Sequence, residues 1–290
     1  MPGTPNAHVA VDNVSLTINE GEFFGIIGHT GSGKSTFIQH LNGLIQPTSG
    51  RVLVDGFDMN DKKQRRQGRA LVGMVFQYPD YQLFDSTVLD DVMFGPKNIG
   101  QSPEEAKASA EAAMRTVGLD PEKFGEKSPF ELSGGEKRRA ALAGIIAMKP
   151  KYLVLDEPMA GLDPSGRREV LKTISDLRTE LGCTVIMVSH SMEDVARSAE
   201  RIAVMNESKL FALGTPDEIF SRTDDLIAMG LDAPQTARLA KALRENQRAN
   251  TDVPAQHRVE FGGCAQYCGK IVNRVDVVLL NSSCYLHNLC

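Results

Sequence analysis

Long apolar runs are scarce in this 290-residue chain. The longest, AALAGIIAM at 140–148, is about half of what a bilayer-crossing helix requires, which excludes a chain that spans a membrane by such helices. A charged-then-apolar leader with a small-residue cleavage site is also lacking, so the expectation is a cytosolic chain without a secretory signal. Basic residues do not outnumber acidic ones: 32 Lys and Arg stand against 37 Asp and Glu, a net charge of −5. That balance argues against a broad nucleic-acid-binding face, and no nucleic-acid partner is expected. Cysteine is rare and uneven, with Cys183 alone and Cys264, Cys268, Cys284 and Cys290 all in the last stretch. What is plentiful is apolar residues, 41% against 24% charged, enough for one large α/β domain or a domain with a modest appendage.

The apolar runs that do occur are short. FFGII at 23–27, RVLV at 51–54, LVGMVF at 71–76, YLVL at 152–155, TVIMVS at 184–189 and RIAVM at 201–205 read as strands, and several lack polar alternation, as strands buried on both faces do. Helical patterns lie between them. Ser102-Pro103-Glu104-Glu105 is a capping box with proline at the first helical position, and Asp163-Pro164 and Thr215-Pro216-Asp217-Glu218 repeat the cap-then-proline order. Strands alternating with helices imply a mostly parallel sheet. Between about 78 and 150 helical signals dominate, which predicts a helical subdomain inserted into the α/β core.

GHTGSGKS, from Gly28 to Ser35, fits G-x-x-x-x-G-K-[ST] and lies after a strand and before a helix. Glycines let backbone N–H groups close around phosphate oxygens, and the helix N-terminus adds positive potential. Lys34 is expected to meet the β- and γ-phosphates and Ser35 to ligate Mg²⁺. YLVLDEP, from Tyr152 to Pro158, ends a strand in two adjacent carboxylates, at the edge where open α/β sheets bind ligands. Behind a phosphate loop, Asp156 is expected to hold Mg²⁺, directly or through water, and Glu157 to orient and polarise an attacking water. Gln77 and His190 each follow a strand, and their order relative to these motifs makes them candidates too. In FELSGGEKRRAALAG, at 130–144, Ser133 and Glu136 form another capping box, with Gly134 and Gly135 keeping the first turn bare. A second helix start that favours phosphate suggests service to another chain's nucleotide.

GHTGSGKS, Gln77, LSGGE, YLVLDEP, AGLD and His190, in this order, resemble the ATP-binding cassette (ABC) ATPases. Longer stretches, among them IIGHTGSGKSTFIQHLNGLIQPTSG and SPFELSGGEKRRAALAGIIAMKPKYLVLDEPMAGLDP, look like the ATPase subunits of energy-coupling factor (ECF) transporters, of the second of two paralogous types. The resemblance implies an α/β P-loop NTPase core of mostly parallel sheet flanked by helices, with an antiparallel β part and the inserted helical subdomain. It implies ATP and Mg²⁺ as cofactors and a head-to-tail dimer with a second ATPase subunit, a paralogue or another copy. Nucleotide would be held by Gly28, His29, Thr30, Gly31, Ser32, Gly33, Lys34, Ser35, Thr36 and Gln77 of one subunit and by Ser133, Gly134, Gly135, Glu136 and Asp163 of the other. Metal would be held by Ser35, Gln77 and Asp156, with Glu157 and His190 as catalytic residues. The further partners implied are an integral membrane coupling subunit and a substrate-binding membrane subunit, for uptake of a vitamin or transition metal. The place implied is the cytoplasmic face of a prokaryotic membrane. Phe76, Tyr78, Tyr81, Leu83 and Phe84 are either core of the helical subdomain or a groove for a helix of the membrane partner. Arg138 and Arg139 belong either to the signature face or to solvent.

The likeness covers roughly residues 2–247: an ABC ATPase domain over 1–222 and a C-terminal helical segment over 223–247. It departs from the family in three places. Glu136 stands where glutamine is usual, at small cost if the side chain turns back to the cap, and Met159 stands where threonine is common. Family members also begin with a further strand whose aromatic residue stacks on adenine, and this chain starts just after that point. The remaining 248–290 is an atypical tail. Cys264-x-x-x-Cys268 with His257 and His287 invites a zinc site, though the spacing is unlike common structural sites; a hairpin extension is a second reading. The preferred expectation is a non-homologous tail that contributes little to catalysis, so that truncation at 247 leaves ATPase activity intact. A soluble ABC-type ATPase not linked to transport is the alternative function. It calls for a long coiled coil between Lys34 and Ser133, or two cassettes in one chain, and neither is present. A P-loop kinase would have no use for the signature helix.

Overall fold

The computed structural model describes residues 8–77, 79–249 and 274–284. Strands β1 (His8–Val11), β2 (Val14–Asn19) and β3 (Phe23–Gly28) lead into α1 (Lys34–Leu41). Then come β4 (Ser49–Val54), β5 (Phe57–Asp58), α2 (Lys62–Ala70) and β6 (Val72–Val75). Helices α3 (Val88–Asn98), α4 (Pro103–Thr116), α5 (Pro121–Phe124) and α6 (Gly134–Ile146) precede β7 (Tyr152–Asp156). After it run α7 (Pro164–Leu181), β8 (Thr184–Val188), α8 (Met192–Ser198), β9 (Arg201–Asn206) and β10 (Lys209–Gly214). Short helices α9 (Pro216–Phe220) and α10 (Thr223–Ala228), the longer α11 (Gln235–Ala249) and strand β11 (Arg274–Cys284) complete the order.

The main sheet runs β10-β9-β3-β8-β7-β6, parallel throughout except for the antiparallel edge strand β10. Every residue of β3, β6, β7 and β8 is buried, which is why their sequences lack polar alternation. Alternate side chains feed two cores. Phe23 and Ile27 of β3 pack on the side of α4, α6 and α8, and Phe24 and Ile26 on the side of α1 and β2. Each large apolar side chain so buried contributes about 1.5–3 kcal/mol. β10, which is half-exposed, gave no clear signal in the sequence.

Strands β6 and β7 pair directly, Val72 beside Tyr152 and Val75 beside Leu155, although the helical subdomain lies between them in the chain. Ala106, Ala110, Ala113 and Met114 of α4 are buried at helical spacing against the rest of that subdomain. The expected capping boxes at Ser102 and Ser133 form, the cap-then-proline at Thr215 closes a capping box as well, and the Asp163 side chain accepts from Gly166 N, at 3.0 Å.

The second sheet is antiparallel, as the resemblance implies, and includes a strand of the tail. Within the tail, β11 pairs with β2 on one side, Val277 opposite Leu16, and with β4 on the other, Val277 opposite Val52. β1 also pairs with β11, through His8 and Cys284. The tail therefore has a place in the fold over 274–284, within the segment expected to contribute little to catalysis. Cys264, Cys268, His257 and His287 lie outside the described residues, so the zinc reading is untouched by the structure. Truncation after Ala249 leaves β2 and β4 without their shared neighbour. With each lost ladder hydrogen bond worth about 1 kcal/mol, the expected fall in melting temperature exceeds about 5 °C. A truncated chain that melts with the full-length protein would remove β11 from the sheet.

Candidate functional site

The site is built on the C-terminal edge of the parallel sheet. β3 ends at Gly28, the chain turns through 29–33, and α1 begins at Lys34. Two glycines are required by close approach. At Gly28 a Cβ would collide with the Met205 carbonyl oxygen, and at Gly33, which has φ 95°, with that of Ala10. Lys34 is buried and curls back over the loop, its Nζ donating to Gly28 O at 2.7 Å and His29 O at 2.9 Å. Burial lowers its pKa, opposed by the charges of Glu157 and Asp156. His29 is anchored by Nδ1 to Thr30 O at 2.8 Å and by Nε2 to Asn206 Oδ1 at 3.1 Å, a contact to the end of β9 that sequence reasoning missed. The Ser32 hydroxyl is fully buried and finds no hydrogen-bond partner among the described residues. An orphaned donor of this kind, inside a loop of backbone N–H groups, suits an anion. Thr30 and Ser35 are exposed and Thr36 partly so.

Asp156, the last residue of β7, accepts a hydrogen bond from the Ser35 side chain. Burial pushes its pKa up and Glu157 adds to this, against the Ser35 bond and the Lys34 charge. A buried carboxylate beside a hydroxyl, destabilised as an anion, fits a hard divalent cation. Among the described residues no cluster of three or more His, Cys, Asp or Glu side chains could hold a metal unaided. A cation at Ser35 and Asp156 would thus draw its other ligands from elsewhere, as Mg²⁺ does when substrate phosphates supply them. Gln77 is exposed two residues beyond the end of β6, on the same sheet edge.

Glu157 has φ 50°, a left-handed conformation that costs a non-glycine residue about 1–3 kcal/mol and gathers at functional sites. Its N–H donates to Val188 O of the neighbouring strand at 3.0 Å. The side chain, 12% exposed, meets the exposed His190, with Oε1 2.7 Å from Nδ1, while Oε2 accepts from His190 N at 3.3 Å. The two candidate catalytic residues, 33 apart in the chain, are therefore direct neighbours.

The Ser133 turn is separate. It opens α6 with its hydrogen bonds closed on itself: Ser133 Oγ accepts from Glu136 N, and Glu136 Oε2 accepts from Ser133 N at 2.8 Å and Ser133 Oγ at 2.7 Å. Those bonds hold the Glu136 carboxyl below its ordinary pKa, so the acidic side chain does turn back to the cap. Gly134 and Gly135 are exposed, and a Cβ on either would meet nothing within 4 Å. Asp163 is exposed at the start of α7.

The model of the ABC transporter family matches residues 11–160, from the first strand through the Asp156-Glu157 pair. The chain belongs to the ABC transporter family. Among curated relatives, the energy-coupling factor transporter ATP-binding protein EcfA2 of Clostridium tetani is 52% identical over 246 residues, 84% of this chain and 85% of its own length. The protein of the same name from Symbiobacterium thermophilum is 54% identical over 84% of each chain. The solved structure of cbiO1 from Clostridium perfringens, part of the ABC transporter complex cbiONQ, superposes with a TM-score of 0.67 at 36% identity, covering 80% of this chain and 92% of that one. A dimeric post-hydrolysis ABC protein, MJ0796 with ADP and Pi bound, gives 0.66 at 30% identity over 74% and 94%. This ABC chain is thus an ATPase of the ECF type, and among its described residues no helix is long and apolar enough to cross a membrane.

Proposed function

We propose that this chain couples ATP hydrolysis to the uptake of a vitamin or transition metal as one of two ATPase subunits beneath an ECF importer. Gly28 to Thr36 hold the triphosphate, and Lys34 leaves its carbonyl partners to meet the β- and γ-phosphates. Ser35 and Asp156, with Gln77, hold Mg²⁺, which when bound neutralises charge building on the phosphate oxygens. Glu157 orients and polarises the attacking water while His190, bonded to it, faces the γ-phosphate. Ser133 to Glu136 and Asp163 reach the nucleotide held by the second subunit, which is a paralogue or another copy.

The observation that carries this reading is the Ser133 turn, a capped helix start with two bare glycines, exposed and with open space before it. Beyond the Ser133 and Glu136 groups that cap each other, a helix N-terminus of this kind favours an anion. The importer part rests on a groove of about 540 Å³ between α2, β6, α3 and α6, where Leu44, Phe84, Phe94 and Ile99 stand exposed. Phe84 is 62% exposed and packs edge-on against Phe94, centroids 4.9 Å apart. An apolar groove of this shape suits a helix presented by an integral membrane coupling subunit, with cargo chosen by a separate substrate-binding membrane subunit. The protein would then sit on the cytoplasmic face as a peripheral subunit.

Isolation of the tagged full-length chain from native membranes in mild detergent is expected to recover an integral membrane protein in comparable amount. Recovery of the chain alone, in the membrane-free fraction, would favour the soluble ATPase instead. Phe84→Asp is expected to cut that co-isolation about tenfold or more, since a charge is placed in an apolar contact, while ATP turnover of the ATPase dimer stays within about twofold. Undiminished co-isolation would move the docking surface away from this groove.

A further inference from the structure

Arg138, in the second turn of α6, does not point to solvent. Its Nη2 donates to Ala160 O at 3.1 Å, in the loop between β7 and α7. Its Nε and Nη1 are buried without a partner among the described residues. Arg138 also lines a cavity of about 70 Å³ shared by α6, Pro158 and α7. A half-buried guanidinium with one neutral carbonyl acceptor and two buried nitrogens left without an acceptor is a poor device for stability alone, because such groups disfavour the folded state unless they are paired.

The place of Ala160 supplies another reason. Its N–H donates to Glu157 O at 3.0 Å, so the same peptide stretch is tied to the catalytic carboxylate's own backbone on one side and to α6 on the other. Two residues on, Leu162 O accepts from Arg167 Nε at 3.2 Å, and Asp163 caps α7. The loop 157–163 is thus stiffened internally and from α7, while Arg138 gives it a side-chain hydrogen bond to the signature helix. The unpaired nitrogens and the cavity give that joint room to re-form as α6 shifts.

We propose that Arg138 is a positioning residue that couples the Ser133 helix to the loop carrying Glu157 and Asp163 in its own chain. Closure of the Ser133 turn over one nucleotide then sets the hydrolytic carboxylate for the other. This rests on the dimer reading above. A two-state element biased from both ends is what such coupling requires, and single links of this type change it by roughly 2- to 30-fold.

The test uses the full-length chain in its ATPase dimer, with Arg138→Leu to fill the same space without donors and Arg138→Lys to restore one cation. Arg138→Leu is expected to bind ATP within about twofold of wild type, because the P-loop is untouched, and to keep its KM for ATP. Its kcat is expected to fall about tenfold, with Arg138→Lys recovering part of the loss. Ser133→Ala should also cost less in the Arg138→Leu background than in wild type, the non-additivity expected of linked residues. A kcat within twofold of wild type overturns the proposal. So does a loss that is fully additive with Ser133→Ala or accompanied by an equal loss of ATP binding. Glu157→Gln, run in parallel, separates the two levels. If it fails to lower turnover the hydrolysis reading is at fault, and if it lowers turnover while Arg138→Leu does not, only the coupling is.

Discussion

Replacing Glu157 with glutamine is expected to lower steady-state ATP turnover by about 10²–10⁴-fold while leaving ATP binding in place. The amide has the size of the carboxylate and can still accept from His190 Nδ1, which lies 2.7 Å from Glu157 Oε1, so the geometry of the pair is kept. What is lost is the negative charge that polarises water and can take its proton. The side chain is 12% exposed and its backbone is held at φ 50°, so the position of the substituted side chain is fixed. With hydrolysis stopped after binding, the ATP-bound dimer should accumulate and elute ahead of the monomer in gel filtration with ATP and Mg²⁺. Turnover unchanged from wild type would remove Glu157 from this role.

Lys34→Ala should produce the opposite pattern, with binding lost and the fold kept. Lys34 Nζ donates to Gly28 O and His29 O, and burial lowers its pKa, which marks a charge held in an unfavourable place. A phosphate relieves that position, and two charge-assisted hydrogen bonds at about 1.5–3 kcal/mol each correspond to roughly 10²-fold or more in affinity. Titration with a fluorescent ATP analogue reads this directly, alongside a melting curve to show that the variant folds. Binding within about threefold of wild type would detach Lys34 from the phosphate. Together the two variants separate holding from cleaving: one loses ATP, the other cannot release it as product.

Much of this site is legible in the sequence because its parts are local. Gly28 to Ser35 is a contiguous loop whose glycines answer contacts with Met205 O and Ala10 O, and the capping boxes at Ser102, Ser133 and Thr215 need only four residues each. Asp156 and Glu157 follow from a buried strand ending in carboxylates. Contacts between distant segments have no such signature. Nothing in the chain announces that His190 lies against Glu157, that Asn206 anchors His29, or that Arg138 bonds to Ala160 rather than facing solvent. The pairing of the tail is hidden for the same reason. Strand β11 has meaning only in its register with β2 and β4, two segments over 200 residues earlier, and no local pattern could supply that partner.

The direct pairing of β6 with β7 has a further consequence. All of the chain from 76 to 151 leaves and re-enters the sheet at adjacent strands, so the helices hang from two attachment points side by side, as a door hangs from its jamb. Swinging that body need not break a single rung of the ladder behind it, and another protein's helical body could be grafted on the same pair of posts without disturbing strand order.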